Sequence, residues 1–287
     1  MRVSFLGICL MLAIWMSSCS AFNDDDSRKG TEVTRIALVG SDEDAGGKDG
    51  ILDYRYFYDN QGRVARVSIE RNSPSVNQGF VSGISENYIY GYVAFDSISI
   101  MRQVLQYGSQ DGALAENHAI RTSVGENGQF LWVEDSLDGI RMEYVYDAEA
   151  RLSGLTKSWL RDSSQTQFHL EIGWNSNGNV ESITAGSRIY RLGYGDAPLA
   201  NTMNVDLLCW LVEREFMEGL PLWSIGLQGK ANRNMPSDLS LETGSERIRL
   251  MEFSYKTDGG GLITSFTKKD SRTGRSETYS IEAHTIE

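Results

Sequence analysis

The chain has 287 residues and a formal net charge of −12, from 39 acidic and 27 basic side chains. This length is enough for one large β domain or two small ones. The acidic balance excludes nucleic acid as a partner, because phosphate binding requires clustered lysine and arginine. Aromatic residues make up 10% of the chain and there are only four prolines, a composition that favours continuous β strands.

Residues 1–18 have the features of a secretory signal peptide. Arg2 precedes an apolar segment that is too short to cross a bilayer as a helix. The sequence Met16-Ser-Ser-Cys19 then resembles the lipobox of bacterial lipoproteins. The resemblance implies cleavage before Cys19 and acyl chains on that residue, so that the partner of the mature protein is a membrane.

Residues 19–31 are polar, charged and without periodicity, so we predict a lipidated flexible tether. The run Asp24–Asp26 resembles the acidic export signal of surface lipoproteins in the Bacteroidota. We therefore expect the protein at the outer membrane, and both its outer surface and its periplasmic face remain open. Cys209 is left without a cysteine partner, so no disulfide framework is expected.

An acidic glycine-rich segment follows the first predicted strand. Asp42, Asp44, Gly47 and Asp53 fall at positions one, three, six and twelve of a calcium-binding loop. Glycine fills the fifth position, however, and the loop closes with aspartate instead of the usual glutamate. A flexible acidic loop is the favoured interpretation, with calcium as the weaker alternative, and we expect no metal and no cofactor.

A repeated turn motif organises the middle of the chain. In Tyr58-Asp59-Asn-Gln-Gly62-Arg-Val64, aspartate and glycine are typical of a type I turn followed by a residue with positive φ, which sets Tyr58 opposite Val64. The motif recurs at 146–152, with Ala150 in the glycine position, at 174–180 and at 257–263. The fold class we predict is mainly β, an antiparallel hairpin meander that forms a curved sheet or incomplete barrel in a single domain at 32–287.

Two further hairpins are indicated by Asn127-Gly128 and Asp138-Gly139, both typical two-residue turns. Pairing outward from the second turn sets Val133 opposite Tyr144 on the apolar face of the sheet. Trp132 then lies on the other face, where it either packs under a second layer or is exposed for binding.

Tyr88, Tyr90 and Tyr92 alternate along one predicted strand and therefore share a face. Such a row is either part of the core or, if exposed, a stacking surface for a sugar or a peptide. Together with Trp132, these three tyrosines are the ligand-binding residues that the sequence suggests.

One helix is predicted, near 204–218. Asn204 suits the N-cap and Gly219 the position after the helix, and Leu208, Val212 and Phe216 form an apolar stripe between them.

The chain resembles a known family from Tyr54 to about Lys268, most strongly from Tyr190 onward. The segments that carry the resemblance follow in a fixed order: Asn204-Val-Asp-Leu-Leu, Gly226-Leu-Gln-Gly-Lys, Asn234-Met-Pro-Ser, and Phe253-Ser-Tyr to Gly261-Leu-Ile-Thr-Ser-Phe. This order is similar to that of a family of Bacteroidota lipoproteins of unknown function that is described as porin-like. The resemblance implies a curved antiparallel meander with a helix inserted late, and it implies no catalytic residues.

The sequence suggests no catalytic site. His118, His169 and His284 do not lie at metal-ligand spacing, and no nucleophile motif is present, so we expect no enzyme. We expect non-catalytic binding of a glycan or a protein at the cell envelope. The alternatives are a structural lipoprotein that contacts envelope proteins through sheet edges, or, third, a hydrolase. A water-filled transmembrane barrel is disfavoured, because its lipid face would have to be an apolar band.

Overall fold

The computed structural model describes residues 31–41, 51–74, 81–94, 97–107, 114–125, 128–161, 167–203 and 229–285. In this part of the chain all regular structure is β strand. The strands are β1 Thr31–Ser41, β2 Ile51–Tyr58, β3 Val64–Pro74, β4 Val81–Ala94, β5 Ser97–Tyr107, β6 Leu114–Val124, β7 Phe130–Asp135, β8 Ile140–Tyr146, β9 Leu152–Trp159, β10 Phe168–Trp174, β11 Val180–Ala185, β12 Arg188–Gly193, β13 Asp238–Thr243, β14 Glu246–Thr257, β15 Ile263–Asp270 and β16 Ser276–Thr285.

Every strand pairs antiparallel with the next along the chain, and the sheet closes into a barrel of 16 strands. The closing pair is β1 with β16, from Thr31 opposite Thr285 to Ser41 opposite Glu277. The predicted antiparallel meander is confirmed, but the predicted incomplete barrel is wrong. Closure gives both end strands a partner and so removes the unpaired edges that an open sheet would expose.

The predicted helix near 204–218 lies outside the described residues. No helix in the part of the chain that the structure describes is long and apolar enough to cross a bilayer.

The inner face of the barrel is apolar, whereas the outer face carries charged and polar side chains together with exposed apolar ones such as Leu131 and Val145. Along β2, Tyr54 and Tyr56 point inward and are 4% and 3% exposed, whereas the alternate residues Arg55 and Phe57 are exposed. The alternation continues around the barrel, and the inward side chains form one hydrophobic core. Charged side chains that lie exposed on the outer face include Arg55, Arg66, Glu143, Glu171, Glu252 and Lys256.

The interior is packed. A round barrel of 16 strands would enclose a water-filled channel. Here the inward tyrosines, such as Tyr88 at 1% and Tyr90 at 5%, are almost inaccessible to solvent. Burial raises the pKa of Tyr90 far above its usual value, and neighbouring phenols, among them Tyr144 on β8, add to the shift. The inward side chains therefore fill the interior of the barrel.

The repeated turn has the predicted register. Tyr58 pairs with Val64, and the same pairing joins Tyr146 to Leu152 and Trp174 to Val180. In each turn the first side chain accepts hydrogen bonds from two backbone N–H groups, as Asp59 does from Gln61 and Arg63. The fourth turn residue has positive φ, which glycine adopts without steric cost. Ala150 adopts it too, at φ 61°.

The predicted register of β7 with β8 is wrong by two residues. Val133 faces Met142, not Tyr144, because four residues, 136–139, connect the strands in place of a two-residue turn. Asp135 causes the difference: its carboxylate accepts the N–H of Leu137 at 2.8 Å and so starts the turn earlier. A shift of two leaves every side chain on its predicted face.

A cluster of buried charges ties this connection to the wall of the barrel. The Arg102 guanidinium, on β5, lies 2.6 Å from Glu86, 2.8 Å from Asp135 and 2.7 Å from Asp138. Glu86, Arg102 and Asp135 are 4%, 7% and 0% exposed. Removing one partner from such a cluster leaves the other charges buried without compensation.

We expect Ala150→Gly to stabilise the protein by about 0.5–1 kcal/mol, because glycine removes the steric strain of a side chain at positive φ. The measurement is the midpoint of urea denaturation. The matched control is Gly261→Ala at φ 84°, where a Cβ would meet no atom within 4 Å and only backbone strain is added. A destabilised Ala150→Gly variant, or a stabilised Gly261→Ala variant, would contradict the account.

We expect Arg102→Met to lower the free energy of unfolding by about 3–5 kcal/mol, because Asp135 would stay buried without Arg102 and Glu86 would keep only its ion pair with Arg71. The control is Arg249→Met, whose ion pair with Glu252 is 56% and 47% exposed and should contribute less than about 1 kcal/mol. Equal losses in the two variants, measured by urea denaturation, would show that burial of the cluster has no energetic consequence.

Candidate functional site

One end of the barrel, which we call the tight-turn end, carries the turns 59–63, 125–129, 147–151, 175–179 and 258–262. Here an aromatic side chain before a turn donates a hydrogen bond to a backbone carbonyl at or near the start of the preceding strand. We call this contact the aromatic clasp. Its members, at 2.6 to 2.9 Å, are Tyr58 to Val33, Tyr92 to Val64, Tyr146 to Phe130, Trp174 to Leu152, Tyr194 to Val180 and Tyr255 to Pro236.

In two clasps an arginine covers the ring. The Arg63 guanidinium lies 4.1 Å from the centre of the Tyr92 ring, and Arg151 lies 5.4 Å from the Trp174 ring. Each arginine is the last residue of its turn and pairs with the first: Arg63 with Asp59, and Arg151 with Asp147, both at 2.7 Å. The ring thus gains a cation–π contact and its outer face is closed to other molecules.

The carboxylates of Asp59 and Asp147, which pair with these arginines, ionise more readily than the side chain of a free aspartate because their pKa values are lowered. Burial opposes ionisation of Asp59 and Asp147, but hydrogen bonds from the backbone and side chains of Arg63 and Arg151 outweigh burial, and both pKa values are lowered. A lowered pKa in the folded state stabilises the fold at neutral pH, and this contribution is lost as the pH falls below about 4. The turn that begins with Asn175 has no such dependence, because its amide oxygen makes the same two backbone contacts.

Tyr146 is covered differently. Gln129 stands in the arginine position and donates a hydrogen bond to the Ala150 carbonyl at 2.9 Å. Gly229 lies against this group so closely that an added Cβ would be 2.5 Å from the Ala150 oxygen and 3.1 Å from the Tyr146 ring. The backbone at Gly229 therefore covers the Tyr146 ring, as a guanidinium covers the rings of Tyr92 and Trp174.

A pocket lies beside Tyr194. The turn next to it has Asn175 and Asn179 where the turns at 59–63 and 147–151 have aspartate and arginine. The pocket has a volume of about 440 Å³ and is lined by Asn175, Asn177, Asn179, Tyr194, Gly195, Pro198, Arg233 and Asn234. We call it the asparagine pocket.

A network of amides holds one wall of the pocket in place. Asn179 donates to the Asn234 side chain at 3.0 Å and accepts the Asn234 backbone N–H at 2.7 Å. Behind it Asn232, 1% exposed, accepts the Val180 N–H and donates to the Tyr194 hydroxyl. Because these contacts join the turn at 175–179 to the segment after Gly229, the wall is fixed in its geometry before any ligand arrives.

Other polar groups of the lining keep their hydrogen-bonding capacity. Arg233 is exposed, and its guanidinium has no ion pair or hydrogen bond among the described residues. Its backbone is held, since its N–H donates to the Gly178 carbonyl and its carbonyl accepts from Asn201. Asn177 is also exposed, with only its backbone N–H engaged in the turn. Such an arrangement offers donors and acceptors beside an aromatic ring.

The structure places the predicted aromatic residues elsewhere. Tyr88 and Tyr90 lie in the core at 1% and 5% exposure, so the row cannot form a surface for stacking. Tyr92 is half-buried in its clasp under Arg63. Trp132 is half-buried on the outer face of the barrel, with the Arg141 guanidinium 4.5 Å above its ring. None of the four lines the asparagine pocket.

Of the other predicted site residues, Cys19, Asp42 and Asp44 lie outside the described residues. Asp53 is described, and the weak calcium prediction loses support there, because the carboxylate is 3% exposed and is bound by Arg35 and Arg55 at 2.9 Å each. Within the described ranges no group of three potential metal ligands occurs. The pocket itself was missed, although replacement of aspartate and arginine by asparagine in one copy of the repeat was a signal available in the sequence.

Comparison with known proteins is informative about the fold. No protein-family model and no curated protein matches the chain. A solved porin-like protein from Bacteroides uniformis is similar, with a TM-score of 0.58 and 13% sequence identity, over 87% of this chain and 96% of that one. A porin-like protein from Bacteroides vulgatus matches with a TM-score of 0.38 and 12% identity, over 88% and 98% of the two chains. At this identity the first likeness establishes a shared antiparallel barrel fold.

Proposed function

We propose that the protein is a lipid-anchored, non-catalytic glycan-binding protein of the outer membrane. The observation that carries the proposal is the asparagine pocket, where the exposed side chains of Asn177 and Arg233 lie beside the Tyr194 ring. Sugars are bound by side chains that both donate and accept hydrogen bonds, together with an aromatic ring. Asn177 and Arg233 supply polar groups beside the Tyr194 ring, in a volume typical of small-ligand sites.

The polarity of the barrel supports a tethered protein over a pore. A transmembrane barrel needs an apolar outer band, and an arginine or lysine at the middle of that band costs about 2–4 kcal/mol. The outer face here carries exposed charges such as Arg66, Glu143 and Glu171, and the inner face is a packed core. Such a barrel is stable beside a membrane, held by a lipid, without entering it.

The proposed anchor is the one that the sequence suggests: a signal peptide at residues 1–18, acylated Cys19, and a tether to residue 31. β1 begins at the tight-turn end and β16 ends there. The tether therefore leads from the lipid to the end of the barrel that holds the asparagine pocket. The tether's extended length is at most about 45 Å, so this end stays near the membrane.

The structural alternative, in which sheet edges recruit envelope proteins, finds no support in the fold. Edge recruitment needs an unpaired strand. The described strands form a closed barrel in which β1 and β16 satisfy each other.

We expect a full-length Cys19→Ser variant to be recovered without detergent as a soluble protein, because charged side chains such as Arg66 and Glu171 are exposed on its outer face. Added to planar bilayers, neither this variant nor the lipidated wild type should produce channel currents. Mass spectrometry of the wild type should find acyl chains on Cys19. Stable single-channel steps from either form would overturn the tethered-barrel proposal.

We expect Asn177→Ala to weaken glycan binding by about 5- to 20-fold, because one side-chain hydrogen bond to a ligand contributes about 1–1.5 kcal/mol. The measurement is a screen of soluble glycans followed by calorimetry on the best ligand. Gln61→Ala is the matched control: Gln61 has the same position in the turn at 59–63, where Arg63 covers the ring and no ligand is expected. Equal affinity in Asn177→Ala and wild type would argue against this pocket as the site.

A further inference from the structure

We infer that the ligand of the asparagine pocket is an acidic saccharide whose carboxylate pairs with Arg233. The inference rests on the proposed function and adds the class of sugar. It starts from the distribution of charge around the pocket.

Among the described residues the lining contains no carboxylate, although the chain has 39 acidic residues and a net charge of −12. The related turns have acids at corresponding places: Asp59 and Asp147 at the first position, and Glu149 at the third. Here those positions are Asn175 and Asn177. Amides keep the hydrogen bonds that the turn needs, as Asn175 shows, and remove the negative charge that would repel an anion. Asp196 is near in sequence and is not part of the lining.

Arg233 is the one cation that the described residues contribute to the lining, and it differs from the arginines of the turns at 59–63 and 147–151. Arg63 and Arg151 are neutralised by the aspartates of their own turns. Arg233 has no carboxylate partner among the described residues, while both its N–H and its carbonyl are fixed by hydrogen bonds. A guanidinium presents parallel N–H donors that match the two oxygens of a carboxylate. Arg233 is therefore positioned to bind one acid group while the asparagines bind hydroxyls.

Uncharged and charged forms of one sugar test the inference directly. The probes are an oligogalacturonate and its methyl ester, which have the same backbone and differ in charge, measured by calorimetry on the full chain. We expect the acid to bind at least about 10-fold more tightly than the ester, since a hydrogen bond to a charged group is about twice as strong as a neutral one. Affinity for the acid alone should fall as the salt concentration rises.

Substitutions of Arg233 test whether this residue causes the difference in affinity between the acid and its ester. Arg233→Gln should weaken binding of the acid by about 10- to 100-fold and change binding of the ester by less than about 3-fold. Arg233→Lys should restore part of the affinity for the acid, because it keeps the charge and loses the paired donors. Lys230→Gln is the control, because Lys230 is an exposed cation of the same segment that does not line the pocket. Circular dichroism melts check that every variant is folded.

The outcomes separate the inference from the proposed function. Equal binding of acid and ester, lost in Asn177→Ala and unaffected in Arg233→Gln, would overturn the acidic ligand and leave glycan binding in place. Absence of binding to every glycan tested would overturn both. A free polysaccharide and a membrane glycolipid can each carry such an acid. Binding of the lipidated protein to the soluble oligosaccharide identifies the first source, and binding only to vesicles that contain an acidic glycolipid identifies the second.

Discussion

The hydrogen bond from an aromatic side chain to the backbone of the neighbouring turn determines how the hairpins of this barrel assemble. An isolated two-stranded hairpin is at best marginally stable in water. Tyr92, reaching from the end of β4 to the Val64 carbonyl, joins two such units and satisfies its own hydroxyl in the same contact. Repeated around the tight-turn end, the clasp fixes each turn relative to the previous one. The register of the strands follows from these fixed turns.

The clasp also determines the polarity of the barrel. Its rings can reach their carbonyls only from the inside, so the face that they share, with Tyr54, Tyr90 and Tyr144, is buried. Alternation along each strand then leaves the outer face to charged and polar residues, among which single apolar side chains such as Val145 are exposed. A barrel of 16 strands with a packed apolar interior and exposed charges outside differs from a water-filled membrane pore. The likeness to the porin-like structure from Bacteroides uniformis therefore describes the path of the chain, and the chemistry of the two faces decides where such a protein is stable.

Local interactions made much of the fold predictable from the sequence, and long-range ones did not. The pairing of Tyr58 with Val64 depends on five residues and was predicted correctly. The pairing of Val133 was not, because a buried carboxylate, Asp135, reshapes the turn and is itself held by Arg102 on β5. Closure was also missed, since it brings β1 to β16 across the whole sequence. The candidate site depends on Asn232 and Asn234, which reach the turn at 175–179 only in the folded chain.

Repetition explains how one copy of the turn can become a site without loss of the fold. Replacing arginine by Asn179 removes an ion pair and a cation–π contact from that turn, contacts that are each weak when exposed to solvent. The amide pair of Asn179 with Asn234 and the bonds of Asn232 supply directed contacts in their place, and those contacts are buried. The turn thus keeps directed contacts while its surface changes from a neutralised ion pair to amides beside the Tyr194 ring. In a protein built from related turns, a turn in which amides replace the ion pair is therefore a place where binding is expected.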